Sequence, residues 1–160
     1  MAPEGLVRKA TSKDLAWLVS SFQDFGKLVG DDTLCPAELI DRNVALLLDD
    51  PQTDFCVALD SAGSCAGMLQ QRYRHSVWLS GLEANIEDLY VTESVRGKGF
   101  GRALMHRALA EATERGCLRV VLDTNESNTV ARSLYEELGF SHTREQPDPG
   151  RMLLYVRPLP

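Results

Sequence analysis

A glycine-rich segment at residues 96–102, RGKGFGR, lies between a run that alternates like a strand and a run with helical periodicity. Glycine adopts positive φ at no steric cost and lets backbone N–H groups approach a ligand closely. N–H groups at the start of a helix, together with the positive end of the helix dipole, bind phosphate oxygens. Arg96, Lys98 and Arg102 add positive charge to the segment. The segment therefore predicts a site for a phosphate-bearing ligand.

Two familiar phosphate-binding motifs do not match this loop. The P-loop needs G-x-x-x-x-G-K followed by Ser or Thr, which the sequence does not supply. The dinucleotide fingerprint G-x-G-x-x-G differs from the G-x-G-x-G of residues 97–101, and the acidic residue that would contact ribose is missing. A third pattern, R-x-x-G-x-G, fits residues 96–101. The alternative is a strand–helix turn whose charged side chains are only solvated.

Two longer blocks of sequence resemble a known family. The block IEDLYVTESVRGKGFGRAL at 86–104 reads as strand, loop and helix, and NESNTVARSLYEELGF at 125–140 follows a further strand. The second block contains N-x-x-A-x-x-x-Y-x-x-x-G-F without gaps. In this order and separation, the blocks resemble motif A and motif B of the GNAT superfamily of N-acetyltransferases. The specific resemblance covers about residues 84–140.

The resemblance implies acetyl-CoA as the cosubstrate. Its pyrophosphate would lie on the amides of the glycine loop, and its pantetheine arm would follow the edge of the preceding strand. By the same resemblance Asn128 hydrogen-bonds this arm, although Asn128 also suits a helix N-cap. The implied cofactor-binding residues are Leu89, Tyr90, Val91, Arg96, Gly97, Lys98, Gly99, Phe100, Gly101, Arg102, Asn128, Ala131, Arg132 and Tyr135.

Acetyl transfer to an amine requires a base, because a free alkylamine has a pKa of about 10 and is protonated at neutral pH. The resemblance assigns this role to Glu87, acting directly or through a water. The structural alternative is an ion pair between Glu87 and an arginine. Since adjacent strand residues face opposite sides, Glu87 and Asp88 are not expected to face the cleft together.

Two further groups complete the implied chemistry. The backbone amide of Val91, where the strand is expected to bulge, would donate a hydrogen bond to the developing oxyanion. Tyr135 would protonate the departing CoA thiolate, and its alternative role is that of an amphipathic core residue. No Cys or Ser is placed with a base, so the resemblance implies direct transfer in a ternary complex rather than an acyl-enzyme.

The elements that position these residues read as a mixed α/β fold. Apolar alternation and short apolar runs predict strands, and apolar residues at helical spacing predict helices. The predicted strands are residues 6–10, 55–59, 65–73, 84–91, 118–122 and 152–156, and the predicted helices start near residues 11–12, 36, 103 and 128. The resemblance implies one N-acetyltransferase domain over residues 1–160. Its sheet would be mostly antiparallel and splayed between the two middle strands, with about four helices.

Composition excludes several classes of function. The 160 residues carry 17 basic and 23 acidic side chains, a net charge of −6 and no basic footprint, so no nucleic-acid partner is expected. No apolar stretch approaches the roughly 20 residues of a membrane span, and the first residues lack the apolar core of a signal peptide. The four separated cysteines show no zinc spacing and predict reduced thiols in a cytoplasmic protein, with no metal site.

The acceptor is the least determined part of the prediction. Glu83, Glu87 and Asp88 near the expected site favour a small cationic amine. The alternatives are a protein N-terminal or lysine acetyltransferase and a catalytically silent acyl-CoA-binding module. The apolar segment at residues 152–156 is a candidate edge strand for a homodimer.

Overall fold

The computed structural model describes residues 6–29 and 35–142. Its elements are β1 (Val7–Lys9), α1 (Leu15–Val29), α2 (Ala37–Leu48), β2 (Thr53–Leu59), β3 (Cys65–Ser76), β4 (Gly81–Val91), α3 (Phe100–Glu114), β5 (Arg119–Leu122) and α4 (Thr129–Glu137). Short 3₁₀ helices at Ser12–Asp14 and Glu93–Val95 precede α1 and the glycine loop. The chain divides into two compact units, one ending at Asp123 and one beginning at Thr124. The single domain over residues 1–160 stays a prediction.

The five strands form one sheet in the order β1-β2-β3-β4-β5. Every neighbouring pair is antiparallel except β4 and β5, which are parallel. The fold class is thus confirmed as mixed α/β, with a mostly antiparallel sheet and four α-helices among the described residues. The predicted strand at residues 152–156, and with it the predicted dimer contact, lies outside the described residues.

The pairing between β4 and β5 is short. It runs from Glu83 opposite Arg119 to Ile86 opposite Leu122 and then stops. The remaining five residues of β4, 87–91, have no partner from β5 on that side. Because β5 itself ends at Leu122, the last residues of β4 form a strand edge that β5 leaves open next to the glycine loop.

Two helices cover one face of the sheet, which we call the α1 face. Leu18 and Val44, one from each helix, are buried against Phe55, Met68 and Tyr90. Partly buried apolar residues of both helices surround this cluster. Their helical spacing is what places them on one side of each helix.

The opposite face of the sheet, the α3 face, packs on α3. Leu104 of α3 is fully buried, and a Cβ added to Gly67 would lie 3.1 Å from its Cδ1 and 2.8 Å from the Tyr90 carbonyl oxygen. Real Cβ atoms do not approach a backbone oxygen this closely. Gly67 therefore allows the first turns of α3 to sit directly on β3.

A β-bulge interrupts β4 at Glu87. Gln70 of β3 lies opposite Asp88 and Gln71 lies opposite Ile86, so Glu87 is the extra residue. The expectation of a bulge at Val91 is wrong in position, because Val91 stays in register opposite Gly67. The bulge lies at the residue where the pairing with β5 has ended.

The second unit contributes α4, whose two ends are capped by residues of its own sequence. The side chain of Asn128 accepts a hydrogen bond from the Ala131 amide at 3.2 Å, which is an N-cap. Gly139 has φ +87°, its amide donates to Glu136, and the amide of Phe140 donates to Tyr135 at 3.0 Å. This pair of bonds is a Schellman motif.

No helix that the structure describes has both the length and the apolar composition needed to cross a membrane. All four cysteines are free thiols.

Candidate active site

The glycine loop presents unused backbone donors. Gly97 and Gly99 have φ of +76° and +88°, and Gly99 is the N-cap residue of α3. Among the described residues, no hydrogen-bond acceptor is found for the amides of residues 97–101, because the first bond of α3 joins the Ala103 amide to the Gly99 carbonyl. A Cβ at Gly97 would meet no atom within 4 Å, so the space above the loop is open. The loop is thus a cradle of N–H donors at a helix N-terminus.

Arg96 is held beside this cradle. Its Nε donates to the carbonyl oxygen of Val91 at 3.0 Å, which ties the loop back to the end of β4. The guanidinium keeps further N–H donors for an anion. Lys98 and Arg102 are exposed on the same loop and first helical turn.

The free edge of β4 presents a second set of backbone groups. The amide of Thr92 donates to the Ala66 carbonyl at 2.9 Å, which makes these two residues a hydrogen-bonded pair of the antiparallel ladder. Since such pairs alternate, the N–H and C=O groups of Val91 and Leu89 point away from β3. They point to the side of β4 on which the pairing with β5 has already ended. The Val91 amide therefore lies at an open strand edge, where it is available as a donor.

Tyr90 differs from its two neighbours. Tyr90 and Met68 form a hydrogen-bonded pair of the ladder, so the N–H and C=O groups of Tyr90 point to β3. Its side chain is 7% exposed and packs with its ring tilted against Phe25 of α1. Nothing in this arrangement supports the prediction that Tyr90 contacts the cofactor, and Leu89 and Val91 are the residues that face the open edge.

The bulge brings two carboxylates to one face of the sheet. Asp88 shares the α1 face with Gln70, because residues directly opposite each other point to the same side. Glu87 reaches that face too, since the Gln70 amide donates to its carboxylate at 3.2 Å and Arg72 lies 3.9 Å away. The expectation that Glu87 and Asp88 face opposite sides is wrong, because a bulge breaks the strand's alternation.

The two carboxylates differ in environment. Glu87 is exposed and has Gln70 and Arg72 as partners. Asp88 is half-buried, and no hydrogen-bond donor or cation contacts it among residues 6–29 and 35–142. Burial, followed by the negative charges of Glu87 and Asp123, raises the pKa of Asp88 to about 6. Desolvation and like charges both disfavour the ionised carboxylate, so Asp88 readily accepts a proton near neutral pH.

Asp123 is a residue that the sequence analysis did not select. It directly follows β5, and β5 is parallel to β4 and ends opposite Ile86. Two strands in this register bring the residues after their last pair to the same end of the ladder. The sequence feature that could have indicated this residue is its position directly after the apolar run LRVVL, where the predicted strand ends.

Glu83 does not contribute charge to this site. It is 1% exposed and forms ion pairs with Arg74 and Arg119, which lower its pKa. Those partners stand opposite Glu83 in β3 and β5. The expectation that Glu83 helps attract a cationic amine is therefore wrong, because two arginines neutralise it.

The motif B residues belong to the second unit. Asn128 caps α4, Ala131 and Arg132 lie in its first turn, and the half-buried Tyr135 packs on Phe140 with ring centroids 6.1 Å apart. Their roles toward acetyl-CoA stay predictions.

The first unit thus combines three features at one end of β4. A cradle of amides suits a pyrophosphate, an open strand edge suits an extended amide-containing chain, and a carboxylate that accepts protons stands beside that edge. Together these groups can hold an acyl carrier and deprotonate a nucleophile.

Comparison with known proteins identifies relatives of this arrangement. A profile described as the acetyltransferase (GNAT) family matches residues 16–140. A mycothiol acetyltransferase of Salinispora tropica is 32% identical over 149 residues, which covers 87% of this chain and 46% of the relative. A streptothricin acetyltransferase of Streptomyces lavendulae is 36% identical over 93 residues, 58% of this chain and 47% of the relative. The chain spans about half the length of these curated relatives.

Solved structures show the same fold. A putative acetyltransferase from Arthrobacter sp. FB24 superposes with a TM-score of 0.79 at 27% identity, covering 96% of each chain. AAC(6')-Iy, bound to the bisubstrate analogue CoA-S-monomethyl-acetylneamine, gives a TM-score of 0.78 at 18% identity and covers 98% of this chain and 99% of its own. At that identity the second likeness concerns the fold alone.

Proposed function

This chain belongs to the GNAT family of acetyltransferases, and on that premise we propose that it transfers the acetyl group of acetyl-CoA to a primary amine. The transfer is direct, within a ternary complex of enzyme, acetyl-CoA and amine. The acceptor is a small molecule that carries positive charge.

The observation that carries the proposal is the row of unused amides at residues 97–101, beside the open edge of β4. The donor set fits acetyl-CoA, because a pyrophosphate accepts several N–H bonds and a pantetheine arm contains amides that can pair with a strand edge. Arg96, Lys98 and Arg102 would balance the phosphate charge, and Leu89 and Val91 would hold the arm. By the family resemblance, Asn128, Ala131, Arg132 and Tyr135 are also proposed to bind acetyl-CoA.

Acetyl-CoA supplies an acetyl group that is activated as a thioester. A carboxylate at the β4 bulge takes a proton from the ammonium form of the acceptor, the role predicted for Glu87. The amide of Val91 donates to the carbonyl oxygen that gains charge during attack. Tyr135 gives a proton to the CoA sulfur. Backbone amides of Val91 and of the glycine loop orient the acetyl-CoA, since the strand ladder and the start of α3 already fix their directions.

The acceptor class rests on the charge at the bulge. Glu87 and Asp88 share one face of the sheet, and Asp123 adds a third carboxylate that acts on Asp88. Arg72, near Glu87, offsets part of this charge. A cationic amine would be attracted to such a site. Mycothiol, streptothricin and glucosamine 6-phosphate acetyltransferases are among the relatives, which supports a small acceptor.

Thermal unfolding with saturating ligand tests the cofactor. Acetyl-CoA and CoA at 100 times their dissociation constants should each stabilise the protein by about 2.7 kcal/mol, whereas NADH and ATP should not. Absence of a shift with acetyl-CoA would overturn the proposed cofactor site.

Release of CoA measured with a panel of amines tests the transfer. The panel contains a polyamine, an aminoglycoside, glucosamine 6-phosphate, streptothricin, and peptides with a free N-terminus or a lysine. Turnover with one of the small amines is the expected result. Turnover with the peptides alone would favour a protein acetyltransferase, and acetyl-CoA binding without turnover would favour a silent binding module.

A further inference from the structure

We propose that Asp88 is the residue that takes the proton from the amine, and that Glu87 binds the incoming ammonium group. The proposal rests on the proposed function and assigns the two carboxylates of the bulge to different steps. It differs from the prediction made from the family resemblance, in which Glu87 is the base.

The position of Asp88 on β4 favours it as the base. The bulge turns Glu87 and Asp88 to the α1 face, so that both carboxylates border the same space. Asp88 is followed directly by Leu89, whose backbone groups point to the open edge of β4. Asp88 is therefore the carboxylate adjacent to the part of the strand that would carry the pantetheine arm.

The two carboxylates also differ in the groups that surround them. Glu87 already receives a hydrogen bond from Gln70 at 3.2 Å and lies 3.9 Å from the guanidinium of Arg72, so it has both a donor and a cation beside it. Asp88 has no donor or cation within the described ranges and is half-buried. A buried carboxylate without a counter-charge is unfavourable, and gaining a proton relieves it.

Charged groups on its own strand and just after β5 act on Asp88. On its own strand it faces Glu87, and beyond the end of β5 it faces Asp123. On β3 the opposite residue is the neutral Gln70, and the nearest basic side chain there, Arg72, lies beside Glu87. Burial raises the pKa of Asp88 to about 6, together with the negative charges of Glu87 and Asp123. A base with this pKa is ionised at pH 7 and still accepts a proton well.

The division of labour gives a balanced reaction. The ammonium group meets the exposed Glu87 first and then gives one proton to the Asp88 carboxylate. The nitrogen lone pair forms a bond to the acetyl carbonyl carbon, and the carbon–sulfur bond breaks with its electron pair on sulfur. Tyr135 protonates the sulfur and is reprotonated by the second proton that the nitrogen releases, and Asp88 returns its proton to solvent. The products are the N-acetyl amine, CoA thiol and one proton.

Kinetics of Asp88→Asn and Glu87→Gln over pH 5–9 test the assignment, with the best small amine from the panel. Asp88→Asn should lower kcat by about 10²- to 10³-fold and remove the fall in kcat/KM below about pH 6. Asp88→Glu should restore part of the rate. Glu87→Gln should act mainly on KM for the amine. Glu114→Gln, an exposed change of the same charge on α3, is the matched control.

Three outcomes would overturn the assignment. Asp88→Asn that keeps its kcat and its acidic limb would show that Asp88 is not the base. Loss of both features in Glu87→Gln would assign the base to Glu87 instead. If acetyl-CoA no longer stabilises Asp88→Asn against thermal unfolding, the variant is slow because it does not bind the cosubstrate. A wild-type protein without turnover on any amine would overturn the proposed function as well, so the two failures are distinguishable.

Discussion

Asp88 has a charge that the described residues do not balance. Its carboxylate is half-buried between Glu87 and Asp123, and these surroundings raise its pKa to about 6. A carboxylate whose pKa is higher in the folded protein than in the unfolded chain binds more protons when folded. The free energy of unfolding therefore falls as pH rises from about 4 to about 6, because ionisation is disfavoured in the folded state. A residue useful for proton transfer thus costs stability at neutral pH.

Replacing Asp88 with Asn should make the protein more stable at neutral pH. Relative to wild type, the gain should grow between pH 4 and pH 7 by about 3 kcal/mol at most, from a pKa difference of about 2. Urea unfolding at pH 4, 5, 6 and 7 measures it. Glu114→Gln on the exposed surface of α3 should show no such trend. A gain that does not depend on pH would contradict the raised pKa.

Among the secondary-structure elements, α4 has a C-terminus whose sequence pattern is explained by local structure. Tyr135, Gly139 and Phe140 form the Schellman motif that ends the helix, with the two rings in contact. The letters Y-x-x-x-G-F in the sequence are therefore accounted for by helix termination, whatever Tyr135 does in catalysis. The glycine loop differs, because its amides have no acceptor among the described residues.

The contact between α3 and β3 gives a prediction at this scale. Gly67→Ala should destabilise the protein by about 1–3 kcal/mol, because its Cβ would lie 2.8 Å from the backbone oxygen of Tyr90 and 3.1 Å from Leu104. Denaturant unfolding measures the loss. The control is Gly26→Ala in α1, where a Cβ meets no atom within 4 Å. That change should stabilise the protein by about 0.5–1 kcal/mol, since alanine favours helix. Equal effects at the two positions would argue against close packing at Gly67.

At the scale of the first unit, a buried carboxylate joins four elements. Asp54 of β2 is 2% exposed and forms ion pairs with Lys9 of β1 and with Arg115 just after α3. It also accepts a hydrogen bond from the Tyr73 hydroxyl of β3 at 2.8 Å, and the Arg115 guanidinium lies 4.0 Å from the Tyr73 ring centroid. Burial of Tyr73, followed by its hydrogen bond to the Asp54 carboxylate, raises the pKa of that hydroxyl. This network lies at the end of α3 opposite the glycine loop.

Removing one member of this network should lower the free energy of unfolding. Arg115→Met should destabilise the protein by about 3 kcal/mol, because it leaves a buried carboxylate with less compensation. Tyr73→Phe should cost about 1–2 kcal/mol through the lost hydrogen bond. Because both changes act on Asp54, the double variant should lose less than the sum of the two, as a double-mutant cycle in urea would measure. Full additivity would mean that the two groups act independently.

Much of the fold and of the glycine loop could be predicted from the sequence. The apolar spacing predicted α1, α2, α3 and α4 and the strands β1–β5, and the structure confirms them with small differences at the ends. Such patterns are local, because a helix or strand exposes one face at a fixed period. The glycine loop was also local, since positive φ and a helix start follow from a few adjacent residues.

Only the tertiary structure decided which side chains share the site. The bulge at Glu87 depends on the register with β3, and it placed Glu87 and Asp88 together on the α1 face against the simple alternation of a strand. The neutralisation of Glu83 depends on arginines 9 and 36 residues away in sequence, and Asp123 acts on Asp88 through the pairing of β4 with β5. Residue types and their spacing determined the family and the glycine loop of this protein. The burial and charge of each carboxylate depend on neighbours from other strands, which no local pattern contains.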